Sequence, residues 1–313
     1  MEILHYSVLK NEVLEMLSPQ DGDLMVDGTT GEGGHTEALL LLQPGLNMVA
    51  LDADEAIQAK ARERLAVFGD RVQFYLTWFN DFFSQCPLDK RPDGILLDLG
   101  ISMFHYEASG RGFSFRRDEP LDMRLNPDAG PSAADLVNGL PEEELAKILY
   151  EFAEERLSRR IASAVVRRRK ERPFETASDL ADLIRGAYPA AHRHGRIHPA
   201  TKSFQALRIA VNRELDRLAE ALEASFRLLK VGGRMAIITF HSLEDRVVKT
   251  FIREKSKACI CGPQIMRCQC GATPLVKSLV GKPLVASDKE SHENPASRSA
   301  KLRGYTKLAE ERG

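Results

Sequence analysis

Three short apolar runs in the first third of the chain each end in an aspartate. They are Leu24-Met-Val-Asp27, Met48-Val-Ala-Leu51 followed by Asp52, and Ile95-Leu-Leu-Asp98. Runs this short, separated by stretches of helical character, are the strands of a parallel sheet with crossover helices. In open α/β sheets, ligands bind beyond the carboxyl ends of the strands, where all three acids fall. After Asp27 comes Gly28-Thr-Thr-Gly31-Glu-Gly33-Gly34-His35, then an apolar helix to about residue 42. Glycines at such a turn let a ligand approach the backbone, because no Cβ stands in the way. The helix start behind them offers N–H groups and partial positive charge to a carboxylate or phosphate. The spacing is Asp27-x-x-x-Gly31-x-Gly33, not the G-x-G-x-x-G of dinucleotide-binding turns. Asp52 closes the second strand about 20 residues beyond the glycines, where a carboxylate accepts from ribose hydroxyls. Asp54 suits the N-cap of the next helix.

The remaining chain extends this frame. Residues 7–17 place Val8, Leu9, Val13, Leu14 and Leu17 on one helical face ahead of the sheet. His5, just before them, is a candidate to face the glycine turn. Strands are expected at 24–27, about 47–52, 72–76 and 93–98, with helices at 34–42 and 55–68. The aromatic stretch Trp78-Phe79-Asn-Asp-Phe82-Phe83 follows the third strand, and Phe82 and Phe83 read as core. From about residue 107 the α/β rhythm stops. Gly110-Arg-Gly-Phe-Ser-Phe115 and Pro120-Leu-Asp-Met-Arg124 read as an ordered loop, because Phe113, Phe115, Leu121 and Met123 need burial. Helices are expected over 132–138, 142–152, 155–170 and 176–185. The α/β pattern resumes with one long helix over 203–229 and a fifth strand at 234–239. Ser242 and Asp245 resemble a helix-capping pair. His241, at that strand end, either lines the crevice or bonds locally. The segment after 293 has no clear structural signal. The boundaries so read are 1–106 and 201–313 for a discontinuous α/β domain, and 107–200 for an inserted, mainly helical one.

Charge and cysteine usage narrow the function class. The 313 residues carry a net charge of −1, so affinity for nucleic acid must come from a local patch. One such patch is the run from Arg159-Arg160 through Arg167-Arg-Arg-Lys170 to Arg172, extended by His192-Arg-His-Gly-Arg-Ile-His198. It reads either as a solvated face or as a phosphate-contacting one. No run is apolar enough for a membrane span, and the first residues lack a signal-peptide pattern, so a cytoplasmic protein is expected. Cys259-x-Cys261 and Cys268-x-Cys270 form a compact four-thiol cluster, which a structural zinc ion would accept. Cys86 stands apart from it.

Taken alone, the acid followed by G-x-G resembles the first motif of S-adenosylmethionine-dependent methyltransferases with a Rossmann-like sheet. Taken with the other blocks, the chain resembles the bacterial small-subunit ribosomal RNA cytosine-N4 methyltransferases, the MraW family. The matching blocks are His5-x-x-Val8-Leu9-x-x-Glu12, Asp27-Gly-Thr-x-Gly31-x-Gly33-Gly34-His35, Asp93-Gly-Ile-Leu-Leu-Asp98-Leu-Gly100, Arg111-Gly-Phe-Ser-Phe115 and Pro120-Leu-Asp-Met-Arg124, then His198-Pro-Ala-Thr, Phe204-Gln-Ala-Leu-Arg-Ile, Phe240-His-Ser-Leu-Glu-Asp-Arg246 and Glu293-Asn-Pro. They span nearly the whole chain.

The resemblance implies an α/β Rossmann-like methyltransferase sheet with an inserted helical domain that recognises RNA. It implies methyl transfer from S-adenosylmethionine to the N4 of a cytosine in the decoding region of 16S rRNA, within the small ribosomal subunit. Carried over by position, Gly33, Gly34, His35, Asp52, Phe79, Asp98 and His105 contact the cofactor, with Phe79 against the adenine. At His105 the family usually reads glutamine, and a histidine can donate a hydrogen bond in its place. Asp98 is also the candidate catalytic residue, as acceptor for a hydrogen of the target amine. Cys259, Cys261, Cys268 and Cys270 are candidate zinc ligands without a catalytic part. Two rival classes compete with this reading. A nicotinamide oxidoreductase should show G-x-G-x-x-G, which is missing. A non-catalytic RNA-binding protein would explain the basic insert but not three strand-end acids around a glycine turn.

Overall fold

The computed structural model describes residues 7–85, 88–193, 195, 198–259, 261, 264 and 270–311. The chain forms two compact units, Met1–Gly100 with Leu215–Gly313, and Ile101–Glu214. The first is an α/β unit. Its elements begin α1 (Lys10–Leu17), β1 (Leu24–Asp27), α2 (Gly34–Leu42), β2 (Asn47–Asp52), α3 (Glu55–Leu65), β3 (Val72–Leu76), α4 (Phe79–Gln85) and β4 (Gly94–Asp98).

The second unit is helical: α5 (Met103–Glu107), α6 (Ala133–Gly139), α7 (Glu142–Ala153), α8 (Ser158–Arg169), α9 (Ala177–Ala187) and α10 (Ala200–Asn212). The chain then returns to the α/β unit through α11 (Glu214–Leu228), β5 (Arg234–Thr239), α12 (Ser242–Lys255), β6 (Val276–Ser278), β7 (Leu284–Val285), α13 (Asp288–Glu293) and β8 (Lys301–Lys307). No helix among the described residues is long and apolar enough to cross a membrane.

The sheet runs in the order β3-β2-β1-β4-β5-β8-β6, with β7 also paired to β8. From β3 to β5 all pairs are parallel, and β8 joins β5 antiparallel. Strand alternation sends successive residues to opposite faces. Val26, Val49, Leu51, Ile95, Leu97 and Ile237 meet Phe82, Phe83, Leu218, Leu222, Phe226 and Val248 from α4, α11 and α12. Met25, Met48, Ala50, Leu96, Ala236 and Ile238 meet α1, α2 and α3 through Val13, Leu17, Leu39, Leu40, Ala61 and Leu65. The central strands are apolar on both faces because both faces are covered. Asp27, Asp52 and Asp98 are the last residues of β1, β2 and β4, at one edge of this layer.

The antiparallel strand β8 has no counterpart in the sequence reading. Its residues Lys-Leu-Arg-Gly-Tyr-Thr-Lys look like a surface segment, but Leu302, Tyr305 and Lys307 are fully buried. The charges are absorbed by partners. Arg303 Nε donates to Asp245 Oδ1 at 2.7 Å, and Lys301 lies 3.5 Å from the same carboxylate. Burial pushes the Asp245 carboxyl up, and Arg303 and Lys301 more than reverse it, leaving it below its ordinary value. Lys307 Nζ donates at 2.8 Å to the carbonyls of Phe226 and Leu229, at the C-terminal end of α11.

The helical unit packs around Phe113, Leu121, Met123, Val137, Leu145, Leu149, Ile161, Phe174, Leu180 and Ile184. Of the loop residues expected to be buried, Phe113, Leu121 and Met123 are in this core and Phe115 packs half-buried against it. Phe204, Ala206 and Leu207 of α10 belong to the same core. The limits of this unit, 101 and 214, lie outside those read from the sequence, 107 and 200, because α5 and α10 fold with it.

The expected long helix over 203–229 is two helices. Arg213 adopts a left-handed conformation, φ 50°, between α10 and α11. Side-chain demands fix the break. Asn212 accepts from Leu125 N and donates to Met123 O, each at 2.8 Å, and Arg208 grips both carboxylate oxygens of Glu214 at 2.8 and 2.9 Å. The helix expected from 155 likewise starts later, at Ser158, because Glu154 is left-handed and the buried Glu155 carboxylate accepts from Leu157 N.

Candidate active site

The turn between β1 and α2 is stitched to three strand ends. Gly28 N donates to Leu96 O and Thr30 N to Leu51 O, each at 2.9 Å. Asp98 N donates to Thr29 Oγ1 at 2.6 Å, and Gly31 N to Asp52 Oδ2 at 2.9 Å. Gly31 and Gly33 have φ of 56° and 84°, conformations that tolerate glycine best. Gly28 is needed for packing. A Cβ there would lie 2.5 Å from Leu97 Cδ2 and 3.4 Å from Phe79 Cβ. Gly34 is needed for the same reason, since a Cβ would overlap Ser7 Oγ. Gly33 is the N-cap of α2 and supplies no side-chain cap, so the first-turn N–H groups of that helix are left to other acceptors.

The three aspartates sit in different environments. Asp27 is buried, and its carboxylate accepts from Thr36 Oγ1 at 2.7 Å and from Thr29 N at 3.2 Å. Burial pushes its carboxyl above the ordinary value, against the Thr36 hydrogen bond. It is spent inside the turn rather than presented to a crevice. Asp52 is half-buried. Its Oδ2 holds Gly31 N and its Oδ1 holds Asp54 N at 2.9 Å, while Asp54 caps α3 through Ala56 N. Asp98 has its Oδ2 3.4 Å from Nε2 of the buried His35. Among the described residues, its buried Oδ1 has no hydrogen-bond partner, and neither ring nitrogen of His35 has one.

Phe79 opens α4, half-buried beside Gly28, and the backbone just before it is tied to the Asp52 strand end by Thr77 N to Asp52 O at 2.8 Å. Gly33, Gly34, His35, Asp52, Phe79 and Asp98 are thus gathered around one turn. Phe82 and Phe83 are core, as expected, with Tyr75 edge-on to Phe82 at 5.0 Å. His105 belongs to the helical unit, where it is buried and edge-on to Phe104 and Phe113 at 5.6 and 5.3 Å. His5 lies outside the described residues. Residues the sequence reading passed over are Thr29 and Thr36, whose hydroxyls hold Asp98 and Asp27 in place. Their only signal was two hydroxyl residues spaced among the glycines of the turn.

His241 resolves the other way from a crevice residue. It is the N-cap of α12, in a capping box with Glu244. Its Nδ1 accepts from Glu244 N at 3.4 Å, and its Nε2 lies 3.1 Å from Glu244 Oε1. The expected pair Ser242 and Asp245 is one residue out of register, because Asp245 faces Arg303 instead.

In the helical unit the basic run divides. Arg168 stacks 4.1 Å over Phe174 and pairs with Asp179, and Arg169 donates to Val137 O at 2.7 Å. Arg159, Arg160, Arg167 and Lys170 are exposed. A groove of about 760 Å³ in the same unit is lined by Phe115, Arg116, Ser178, Asp182, Arg185, Arg193 and His198, among others. Phe115 packs on His198 with centroids 4.6 Å apart. Burial, and then Arg185, push the His198 imidazole below its ordinary value.

A model of the MraW methylase family matches residues 2–308. The chain belongs to the MraW methylase family. Among relatives of this family member, the ribosomal RNA small subunit methyltransferase H of Treponema denticola is 54% identical over 310 residues, covering 98% of each chain. The protein of the same name from Heliobacterium modesticaldum is 46% identical over 308 residues, 97% of this chain and 98% of its own. Among solved structures, an rRNA methylase from Streptococcus thermophilus aligns over 96% of this chain and 94% of its own, at 13% identity and a TM-score of 0.42, a likeness too slight to carry argument. The MraW-family chain also holds a thiol cluster in the α/β unit: Cys259, Cys261 and Cys270 lie together, and Cys268 is outside the described residues.

Proposed function

We propose that this protein transfers a methyl group from S-adenosylmethionine to the exocyclic N4 of a cytosine in the decoding region of 16S rRNA. Membership of a methylase family supports methyl transfer. The names of the two bacterial relatives support small-subunit ribosomal RNA as the substrate. The observation that carries the chemistry is Asp98 Oδ1, a buried carboxylate oxygen with no donor among the described residues, at a strand end beside His35 and the glycine turn. Leaving such an atom unsatisfied costs about 1–3 kcal/mol, which a ligand N–H relieves.

The residues around the turn fit the methyl donor. Asp52 is placed to accept from ribose hydroxyls and Phe79 to pack against a flat base. Gly33, Gly34 and His35, at the start of α2, offer N–H groups and the positive end of the helix to a carboxylate. His105 is assigned to the same ligand by resemblance. When bound, the donor supplies a methyl carbon made electrophilic by an adjacent sulfonium.

The N4 amine of cytosine is a weak nucleophile, because its lone pair is delocalised into the ring. Asp98 Oδ1 accepts one N4 hydrogen, which favours a pyramidal nitrogen and offsets the positive charge that develops there. Holding the amine in line supplies much of the remaining rate. No strong base is needed first, since alkylation itself makes the nitrogen acidic. The cytosine leaves its stack to reach Asp98. Phosphate contacts from Arg159, Arg160, Arg167, Lys170 and the Arg116 groove hold the flanking RNA, while shape and single-strandedness set specificity.

Small ribosomal subunits from cells lacking the enzyme, incubated with methyl-labelled donor and digested to nucleosides, test this reading. Label in N4-methylcytidine is expected. Label in another nucleoside would retain methyl transfer and overturn the target. No label, from folded protein that binds the donor, would overturn the substrate.

A further inference from the structure

Residues 256–275 link α12 to β6, and three of their thiols converge. One Sγ from each of Cys259, Cys261 and Cys270 lies within 4.8 Å of the other two. Cys259 and Cys270 are 3.8 Å apart at sulfur. Zinc bound by thiolates at about 2.3 Å in a tetrahedron sets each sulfur–sulfur edge at about 3.8 Å. A disulfide would instead hold a pair of sulfurs at about 2.05 Å. Cys268, the fourth thiol of the segment, lies outside the described residues. The backbone N–H of Cys261 donates to Cys259 Sγ at 3.4 Å.

Burial does not explain the convergence. Unbridged cysteines are among the most buried residues, yet Cys259 is exposed and the other two only partly covered. The described residues of this linker offer little apolar surface that would draw them together. The loop is already closed at its base by Leu275 N donating to Lys255 O at 2.8 Å. A metal ion at its tip would supply the fixed point that a hydrophobic core supplies elsewhere.

We propose that Cys259, Cys261 and Cys270 ligate one zinc ion, which pins the linker between α12 and β6. The site is structural, and its ligands give up their thiol protons to the solvent on binding. It is independent of the methyl-transfer reading, because its readout is metal content.

The test is elemental analysis of tag-free protein grown with zinc and purified without chelators. About one zinc per chain is expected, released when an organomercurial titrates the thiols. The Cys259→Ser, Cys261→Ser and Cys270→Ser variants should each lose it, and Cys86→Ser should keep it. If the serine variants fail to fold, wild-type protein loaded with cobalt decides, through the thiolate charge-transfer and tetrahedral ligand-field bands. Three outcomes overturn the proposal: reactive thiols with no stoichiometric metal after exposure to zinc, another metal at the same stoichiometry, or disulfide-linked peptides from this segment after alkylation of the native protein.

Discussion

Replacing Asp98 by asparagine isolates the acceptor from the scaffold. The substitution keeps the volume. The backbone bond from Asp98 N to Thr29 Oγ1, at 2.6 Å, does not involve the side chain, so the end of β4 stays docked on the turn. What changes is the charge on Asp98 Oδ1, which lacks a partner among the described residues, while its twin Oδ2 lies 3.4 Å from Nε2 of His35. Hydrogen bonds to an ionised acceptor are roughly twice as strong as neutral ones. Removing one preorganised group that meets charge in a transition state lowers the rate about 10²–10³-fold, or ~3–4 kcal/mol. The expected result is therefore a loss of that size in kcat, with the donor's Kd changed by less than about threefold. Single-turnover methyl transfer gives the rate and calorimetric titration of the donor gives the affinity. A variant within about tenfold of wild type in both would refute the reasoning. A loss confined to donor affinity would move Asp98 from the target amine to the cofactor.

Two further outcomes follow from packing. Lys307→Met leaves two buried carbonyls at the end of α11 without this donor and removes the bond to Glu310, and should cost about 3 kcal/mol, lowering the melting temperature by roughly 6–12 °C in calorimetry; a fall below about 2 °C would show those bonds to be replaceable by water. Gly34→Ala brings a Cβ onto Ser7 Oγ and should cost about 1–3 kcal/mol in urea unfolding, and Ser7→Ala in the same chain should restore most of it, an outcome that strain in the turn itself would not allow.

The parallel half of the sheet was legible because its code is redundant. Strands β1, β2 and β4 are apolar runs that each end in an acid, and each is followed by a capped or glycine-started helix. The bounds of β1, β2, β3 and β5 agree with those read from the pattern. Strand β8 was not legible, because Lys301, Arg303 and Lys307 disguise a sheet strand as a surface one. Only the fold brings Asp245 and the carbonyls of α11 to those charges. The break at Arg213 was hidden for a related reason. The apolar spacing on either side continues in phase, while the turn is imposed by Asn212 reaching Leu125 and Met123, residues far away in sequence.

The three strand-end aspartates show what pattern alone leaves undecided. In the sequence they are equivalent, each an acid closing an apolar run, and spacing points all of them at a ligand. Their neighbours make them different. Asp27 meets two donors from Thr29 and Thr36 and is sealed in, so its charge organises the turn. Asp52 meets two backbone N–H groups but stays half-exposed, so it can brace Gly31 and still face a ligand. Among the described residues, the Asp98 carboxylate meets an imidazole on one oxygen and no donor on the other. The difference traces to hydroxyls: Thr36 reaches the Asp27 carboxylate, whereas Thr29 spends its hydroxyl on the backbone of Asp98 and leaves that side chain uncommitted. Thr29→Ala would remove the turn's tie to the Asp98 backbone, leaving that end of β4 held by its pairing with Ile238 of β5 and shifting the acid that Thr29 helps to place.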